Sequence, residues 1–286
     1  MEKVITIQDK KYPKLLREIG KDAPKQLYYK GNWSDIFENC LAVVGSRNMT
    51  TYGKRVVEQI VAEVAAAGVT IVSGFMYGVD AESHRAALQG GGRTIAVMPC
   101  GIDLIHPEYQ QDLYVEILNN NGLIVSEYEG DMAPALWTYP QRNRIVAGLS
   151  KAALIVEAGE KSGSLITANL AKKFKRKVFA IPGPISSETS KGTLQLIKEG
   201  ASLVTSAKDI LDFYRIKGLE GPAPLGRGSL NEVERQIIER LQNESLEIDA
   251  LSRILNVSAA KLGTILSLMQ LKGFIQKEGN KYFLSR

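Results

Sequence analysis

Gly45-Ser46-Arg47 is the first place along this chain where residue type and spacing could do chemistry. The apolar run starting at Leu41 ends on Gly45, and an amphipathic stretch begins a few residues later. Free backbone N–H groups at a strand-to-helix turn, joined by the planar five-donor fork of an arginine, suit a phosphate. The same tripeptide also serves as a tight turn with a solvated arginine, so its meaning depends on the loops beside it. One of these is Ser73-Gly74-Phe75-Met76-Tyr77-Gly78-Val79-Asp80, where two glycines allow close backbone approach and Asp80 suits a helix cap. A second polar cluster, Gln141-Arg142-Asn143-Arg144, follows Tyr139-Pro140 and precedes the apolar Ile145-Val146-Ala147, a setting that favours ligand contact over a solvated helix face. A third loop runs from Glu157 to Thr167, and its Gly159, Lys161, Ser162, Gly163 and Ser164 make an anion nest where a helix opens. The basic run Lys172-Lys173-Phe174-Lys175-Arg176-Lys177 lies at a helix end, where cations suit the helix dipole and a solvated face is the plain interpretation.

Several chemistries lack their parts. The order G-x-x-x-x-G-K-[ST] is absent, so ATP hydrolysis has no Walker lysine and no assignable magnesium ligands. The G-x-G-x-x-G fingerprint and its acidic ribose ligand are also absent, which disfavours a dinucleotide cofactor. The two histidines, His84 and His106, sit in no metal motif, and His106 has no assignable nucleophile or carboxylate partner. Cys40 and Cys100 each adjoin an expected strand and read as buried, reduced thiols. No cofactor, metal or catalytic set is expected.

The elements that must position these loops follow from hydrophobic patterning. Apolar, β-branched-rich runs begin at Leu41, Thr70, Thr94, Gly122, Ala152, Lys177 and Ala201. Runs apolar on both faces are strands of a parallel sheet covered by helices on each side. Helical stretches alternate with them: 52–67, 80–88, 109–118, 165–174 and 194–199. The expected fold class is α/β, a Rossmann-like doubly wound, mostly parallel sheet over residues 41–217. Residues 1–40 read as a short lead-in packed on that core, and the Gly- and Pro-rich stretch 218–229 as a linker. Residues 230–286 then show three helices (231–241, 248–255, 259–271) and a hairpin turning at Gly279-Asn280, which is a small C-terminal winged-helix domain.

The 286 residues carry 36 Lys or Arg against 31 Asp or Glu, a net charge of +5 that is compatible with a polyanionic partner without requiring one. The N-terminus lacks the apolar core of a secretion signal, and no apolar run reaches membrane-spanning length, so the expected location is the cytoplasm with no membrane contact.

Seven ordered stretches resemble the DprA/Smf family of DNA-processing proteins: GSR at 45–47, SGFMYGVDAESHRAAL at 73–88, CGID at 100–103, GLIVSE at 122–127, YPQRNRIVAGLS at 139–150, VEAGEKSGSLITA at 156–168 and VFAIPG at 178–183. The resemblance implies a Rossmann-like, usually dimeric protein that binds single-stranded DNA without catalysis. Such a protein protects incoming strands in natural transformation and loads the recombinase RecA. It further implies a basic pocket in which Arg47 clamps phosphate, lined by Gly45, Ser46, Ser73 and Gly74 and flanked by Gln141, Arg142, Asn143 and Arg144. Lys161, Ser162 and Lys175 complete the expected DNA contacts, and Phe75, Tyr77 and Tyr139 are candidates for base stacking. The chain departs from many members in two places. His106-Pro107-Glu108-Tyr109-Gln110 stands where a YP-x-x-N pattern is common, and about 40 residues stand before the sheet where an N-terminal helical domain is common. The winged helix has nearly balanced charge, and its third helix offers Lys261 as its one cation before Lys272, so protein contact or weak DNA contact is expected of it. Two rival readings fit the same residues. One is a Rossmann-like nucleotide phosphoribohydrolase resembling the lysine-decarboxylase-like enzymes, with Glu127 or Glu157 as its acid. The other is a winged-helix regulator with a ligand-sensing domain.

Overall fold

A computed structural model describes residues 3–216, 232–241, 244–271 and 274–284. The chain divides into two compact units, Met1–Pro224 and Leu225–Arg286. The expected linker, 218–229, lies outside the described residues, as does Lys272.

In the first unit the strands are β1 (Lys3–Thr6), β2 (Gln26–Gly31), β3 (Cys40–Val44), β4 (Thr70–Ser73), β5 (Thr94–Val97), β6 (Leu123–Ser126), β7 (Ala152–Ile155), β8 (Lys177–Ala180) and β9 (Ser202–Leu203). They form one sheet in the order β1-β2-β6-β5-β4-β3-β7-β8-β9. From β6 to β9 every pairing is parallel. Each of the seven apolar runs supplies one of these strands. The helices are α1 (Lys14–Arg17), α2 (Thr51–Val56) continuing through a π-helical turn at Val57–Val61 into α3 (Ala62–Ala66), α4 (Val79–Gln89), α5 (Gln111–Asn119), α6 (Thr138–Leu149), α7 (Ser164–Lys173), α8 (Lys191–Lys198) and α9 (Ala207–Tyr214).

The two-sided apolarity of the strands has a direct structural consequence. Ala42 and Val44 of β3 pack with Val72, Val97, Ile145 and Ala168 on the face covered by α6 and α7. Leu41 and Val43, one residue out of phase, pack with Val61, Val64, Val79 and Ile210 on the face covered by the 51–66 helix, α4 and α9. Toward β6, Met98 and Ile124 meet Leu113 and Ile117 of α5. This is the doubly wound arrangement.

The N-terminal segment differs from expectation. Residues 1–40 do not only pack on the core; β1 and β2 extend the sheet itself. Tyr28 pairs with Ser126 of β6 and Val4 with Tyr28, both antiparallel. Leu27 is fully buried in the main core. The strands are four and six residues long, with a lysine in each, so their apolar pattern is too brief to register as a strand run.

The second unit contains α10 (Glu232–Leu241), β10 (Leu246–Glu247), α11 (Ile248–Leu255), α12 (Ala259–Leu271), β11 (Ile275–Glu278) and β12 (Lys281–Leu284). Its sheet order is β10-β12-β11; the patterning missed the two-residue β10 here, as it missed α1, α6 and α9 in the first unit. Ile237, Leu251, Leu262, Leu266, Met269 and Ile275 form its own core. Three helices with a small antiparallel sheet make the winged helix.

Because β2 belongs to the core, Leu27→Ala is expected to lower unfolding free energy by about 2–5 kcal/mol, the cost of a large-to-small core change. Urea titration of both proteins measures it, and a change within the roughly 0.5 kcal/mol typical of surface positions would contradict this placement.

Candidate nucleic-acid interface

In open α/β sheets ligands collect beyond the carboxyl ends of the strands, where the strand order reverses. Here the reversal lies at β3: the chain proceeds from β3 through β4, β5 and β6 on one side, then returns to β7 on the other. The loops leaving β3 and β7 therefore part, and a cleft of about 620 Å³ opens between them.

Five segments line it, among them Gly74, Met76 and Asp80 before and within α4, and Glu188 with Thr189 before α8. The β3–α2 loop supplies Gly45, Ser46, Arg47 and Asn48. The β7–α7 loop supplies Gly159, Lys161, Ser162 and Gly163, with Ser164 and Thr167 from the first turns of α7. Helix α6 supplies Tyr139, Arg142, Asn143 and Val146, spaced by three and four residues along one helix face. Ser162 and Ser164 share a hydroxyl hydrogen bond of 2.8 Å at the start of α7. The first α7 amides turn back on the loop before them, Ser164 N–H to Ser162 Oγ (3.4 Å), Leu165 N–H to the Ser162 carbonyl (3.1 Å) and Ile166 N–H to the Gly163 carbonyl (3.2 Å), and the partial positive charge of this helix end favours an anion.

Arg47 is exposed, and its guanidinium lies 5.8 Å from the Tyr77 ring centroid and 5.3 Å from that of Tyr139. Two aromatic faces thus hold a cation at the mouth of the cleft and leave its donors free for a ligand. The loop beneath it is braced. Asn48 N–H donates to Ser46 Oγ (3.1 Å), and Val79 N–H donates to the Ser46 carbonyl (3.2 Å). Gly78 lies on the far side with φ 74°, and a Cβ there would collide with the Ser46 and Arg47 carbonyls. Below, the Glu157 carboxylate accepts from Thr50 N–H (2.8 Å), Thr50 Oγ1–H (2.6 Å) and Thr189 Oγ1–H (3.3 Å).

The cleft floor is a buried ion pair. Arg142 is 4 % exposed, donates to the Val97 carbonyl and faces Asp80 at 3.9 Å. Burial pushes the Asp80 carboxyl above its usual range and the Arg142 guanidinium below its own, while each charge pulls the other back. Gly74 passes between them, and a Cβ on it would collide with both side chains. The Gly74 carbonyl accepts from His84 Nε2–H (2.6 Å), and His84 Nδ1 lies 2.6 Å from the Thr94 hydroxyl. Burial holds the His84 imidazole down at about 4, so it is neutral near pH 7. With Asp80 facing Arg142, and Glu188 paired to Lys191 at 2.8 Å, Arg47 and Lys161 leave the cleft with a positive excess.

The structure gathers most of the expected residues and removes others. Gly45, Ser46, Arg47, Gly74, Arg142, Asn143, Lys161 and Ser162 line the cleft. Arg142 is there as an internal cation with its donors turned into the protein, not as a free ligand. Ser73 is fully buried, and its hydroxyl donates to the Val43 carbonyl (2.6 Å), which ties β4 to β3. Gln141 is exposed outside the lining. Arg144 points away: it donates to both Glu127 carboxylate oxygens (2.5 and 2.6 Å) and to the Asp22 carbonyl (2.6 Å). Lys175 follows the C-terminal end of α7, before β8 begins, on the opposite rim of the sheet. Phe75 is fully buried against Tyr114 and is closed to a base. Glu127 and Glu157, the carboxylates a hydrolase would need, are the two engaged by Arg144 and by Thr50 with Thr189, and neither lines the cleft.

Sequence reasoning missed Asp80 as the floor anion, Glu188 and Thr189 at the far wall, and Trp137, which is 57 % exposed at the N-cap of α6 against Tyr128. Helical spacing from Tyr139 would have sorted inward from outward residues in its cluster. Cys40 and Cys100 are free and buried, their thiols pushed up to about 12 and about 11 by desolvation. Among the described residues no helix is long and apolar enough to cross a membrane, and no cluster of three His, Cys, Asp or Glu could hold a metal.

His84 gives a pH signature. Its folded pKa, about 4, lies below the ordinary 6.5, so its contribution to stability is complete above pH 6.5 and disappears as pH falls toward 4. That shift corresponds to roughly 3 kcal/mol. Urea unfolding of wild type and His84→Gln across this window should show the steeper loss in wild type; parallel profiles would contradict the buried neutral imidazole.

The chain matches the family described as DNA recombination-mediator protein A over residues 3–215 and the DprA winged helix domain over residues 221–280. It is 44% identical over 191 residues to Protein Smf of Escherichia coli, covering 67% of this chain and 51% of that protein. To the DNA processing protein DprA of Streptococcus pneumoniae it is 43% identical over 206 residues, covering 72% of each. The chain thus spans about half the length of the Escherichia coli relative. Among solved structures it resembles the Streptococcus pneumoniae DprA, with TM-score 0.69, 42% identity and 73% of each chain covered. It also resembles DNA processing protein A of Helicobacter pylori, solved for its single-stranded DNA binding mode, with TM-score 0.67, 32% identity, 75% of this chain and 96% of that one covered. The family match over most of the chain, with the winged-helix match after it and 43% identity to a relative covered to 72%, places this chain in the DprA/Smf family of DNA recombination-mediator proteins.

Proposed function

We propose that the cleft binds the sugar-phosphate backbone of single-stranded DNA, without sequence preference and without catalysis. The observation that carries this is the Arg47 guanidinium, exposed and held by Tyr77 and Tyr139 above the loop that opens α7. A phosphate in the cleft meets a charge-assisted fork, the positive end of the α7 dipole and serine hydroxyls. The outer faces of Tyr77 and Tyr139, with Trp137 beside them in sequence, give bases a surface on which to stack, worth about 1–3 kcal/mol per base and indifferent to sequence. A concave cleft favours one flexible strand over a duplex, whose phosphates ride on a convex cylinder.

On this basis the protein acts in DNA processing and natural transformation in the cytoplasm, shielding an incoming strand and passing it to RecA. Two copies on one strand would raise the effective concentration of the second cleft, which supports a homodimer. The winged helix fits a protein contact better than a duplex contact: α12 has Lys261 as its only cation, and Ile254 and Leu268 are exposed.

Labelled poly-dT binding across a salt series tests the cleft. Arg47→Ala should lose at least ~1.5 kcal/mol, the scale of a charged hydrogen bond, and its log-log salt slope should be shallower by ~0.7 for one lost phosphate contact on a single strand. Lys175→Ala, on the opposite rim, should bind as wild type does. Equal affinity and slope for Arg47→Ala and wild type would remove the assignment.

A further inference from the structure

Next to the cleft, bonded to one of its lining residues, stands the imidazole of His106. His106 Nε2 lies 2.9 Å from the Tyr139 hydroxyl, and the two rings meet edge to face with centroids 6.3 Å apart. Tyr139 lines the cleft and is one of the two rings under Arg47. His106 is therefore one hydrogen bond from the surface that holds the main phosphate donor.

We propose that His106 is a positioning residue for Tyr139 and, when protonated, a second cation for the strand, so that affinity for single-stranded DNA rises as pH falls. The inference rests on the strand-binding assignment above and deepens it.

The hydrogen-bond chemistry gives the direction. A neutral imidazole carrying its proton on Nδ1 accepts the Tyr139 hydroxyl hydrogen at Nε2. An imidazolium can only donate from Nε2, so the Tyr139 oxygen becomes the acceptor and its hydroxyl hydrogen turns to another partner. A phosphate oxygen beside Arg47 is such a partner. One proton thus adds a positive charge and frees a donor on the same side of the cleft, while the 2.9 Å link that holds the tyrosine persists.

The charged groups facing His106 are Glu108 on its own loop and Arg47 on the β3–α2 loop, with Tyr139 from α6 as its hydrogen-bond partner. Desolvation is the largest influence on the imidazole and favours the neutral form; Glu108 opposes it and Arg47 adds to it. A bound phosphate would offset the Arg47 charge and stabilise the imidazolium, so binding takes up a proton. The chain has only two histidines, and His84 is buried and neutral. His106 is thus the imidazole beside the cleft that gains charge as pH falls. Asp80 and Glu82, whose carboxyls burial holds above their usual range, keep their titration in every variant named below.

The test is poly-dT binding by the full chain in a salt series at about pH 7.5 and about pH 5.5, which bracket an ordinary imidazole. Wild type, His106→Gln and His106→Lys are compared. Wild type should bind more tightly at the lower pH, with a salt slope steeper by up to ~0.7, one added phosphate contact on a single strand. His106→Gln should keep the shallower slope at both pH values, and His106→Lys the steeper slope at both. If all three bind the strand with the same pH dependence, His106 has no such role and the strand-binding assignment stands. If none binds at either pH, that assignment fails and this inference with it. Loss of folding in His106→Gln leaves the comparison of His106→Lys with wild type, in which a matching slope at the higher pH overturns the proposal.

Discussion

The cleft depends on a guanidinium that has almost no access to water. Arg142 is held by Asp80, by the Val97 carbonyl and by the close passage of Gly74, and these come from α4, β5 and the β4–α4 loop. An unpaired charge at that depth would be strongly destabilising, so the partners fix one another. Once they are fixed, the carboxyl ends of β4 and β5 are tied to α6, and α6 presents Tyr139 at a set height above the floor. The pair nearly cancels its own charge. The exposed cations at the rim, Arg47 and Lys161, then act on a ligand over a floor pair that adds little net charge.

The rest of the first unit transmits this constraint. His84 holds the Gly74 carbonyl from below, Ser73 ties β4 to β3, and Glu157 ties the loops that carry Thr50 and Thr189. None of these side chains needs to touch a ligand to matter. Each fixes the backbone that carries a group that does. The β3–α2 loop, trapped between Gly78 and the Glu157 brace, has little freedom to withdraw Arg47 from the two tyrosine rings.

The sheet was legible in the sequence because its central strands are apolar on both faces, a pattern that solvated elements do not maintain. Arg47 and the β7–α7 loop were legible because strand, glycine and helix follow in immediate succession. Residues 139–144 were harder. Read as one polar cluster, all four of Gln141 to Arg144 were directed to the ligand. On a helix, Tyr139, Arg142, Asn143 and Val146 share a face, whereas residues two apart are turned by about 200°, which sends Arg144 to Glu127. Lys175 was misplaced for a similar reason: ten residues of α7 separate it from the nest by about 15 Å. Asp80 read as a cap because its partner is sixty-two positions away, a distance that local pattern cannot bridge. Strands β1 and β2 were hidden by their brevity and their lysines.

If an unpaired strand binds as proposed, one of its backbone phosphates occupies the cleft where β3 and β7 part. A crystal structure of this protein with a short oligo-dT tests it most directly. The expected result is a phosphate oxygen within about 3 Å of the Arg47 guanidinium, facing the start of α7, with a base against Tyr139 or Tyr77. A strand ordered on another surface, with this cleft closed or filled by the protein's own side chains, would contradict it.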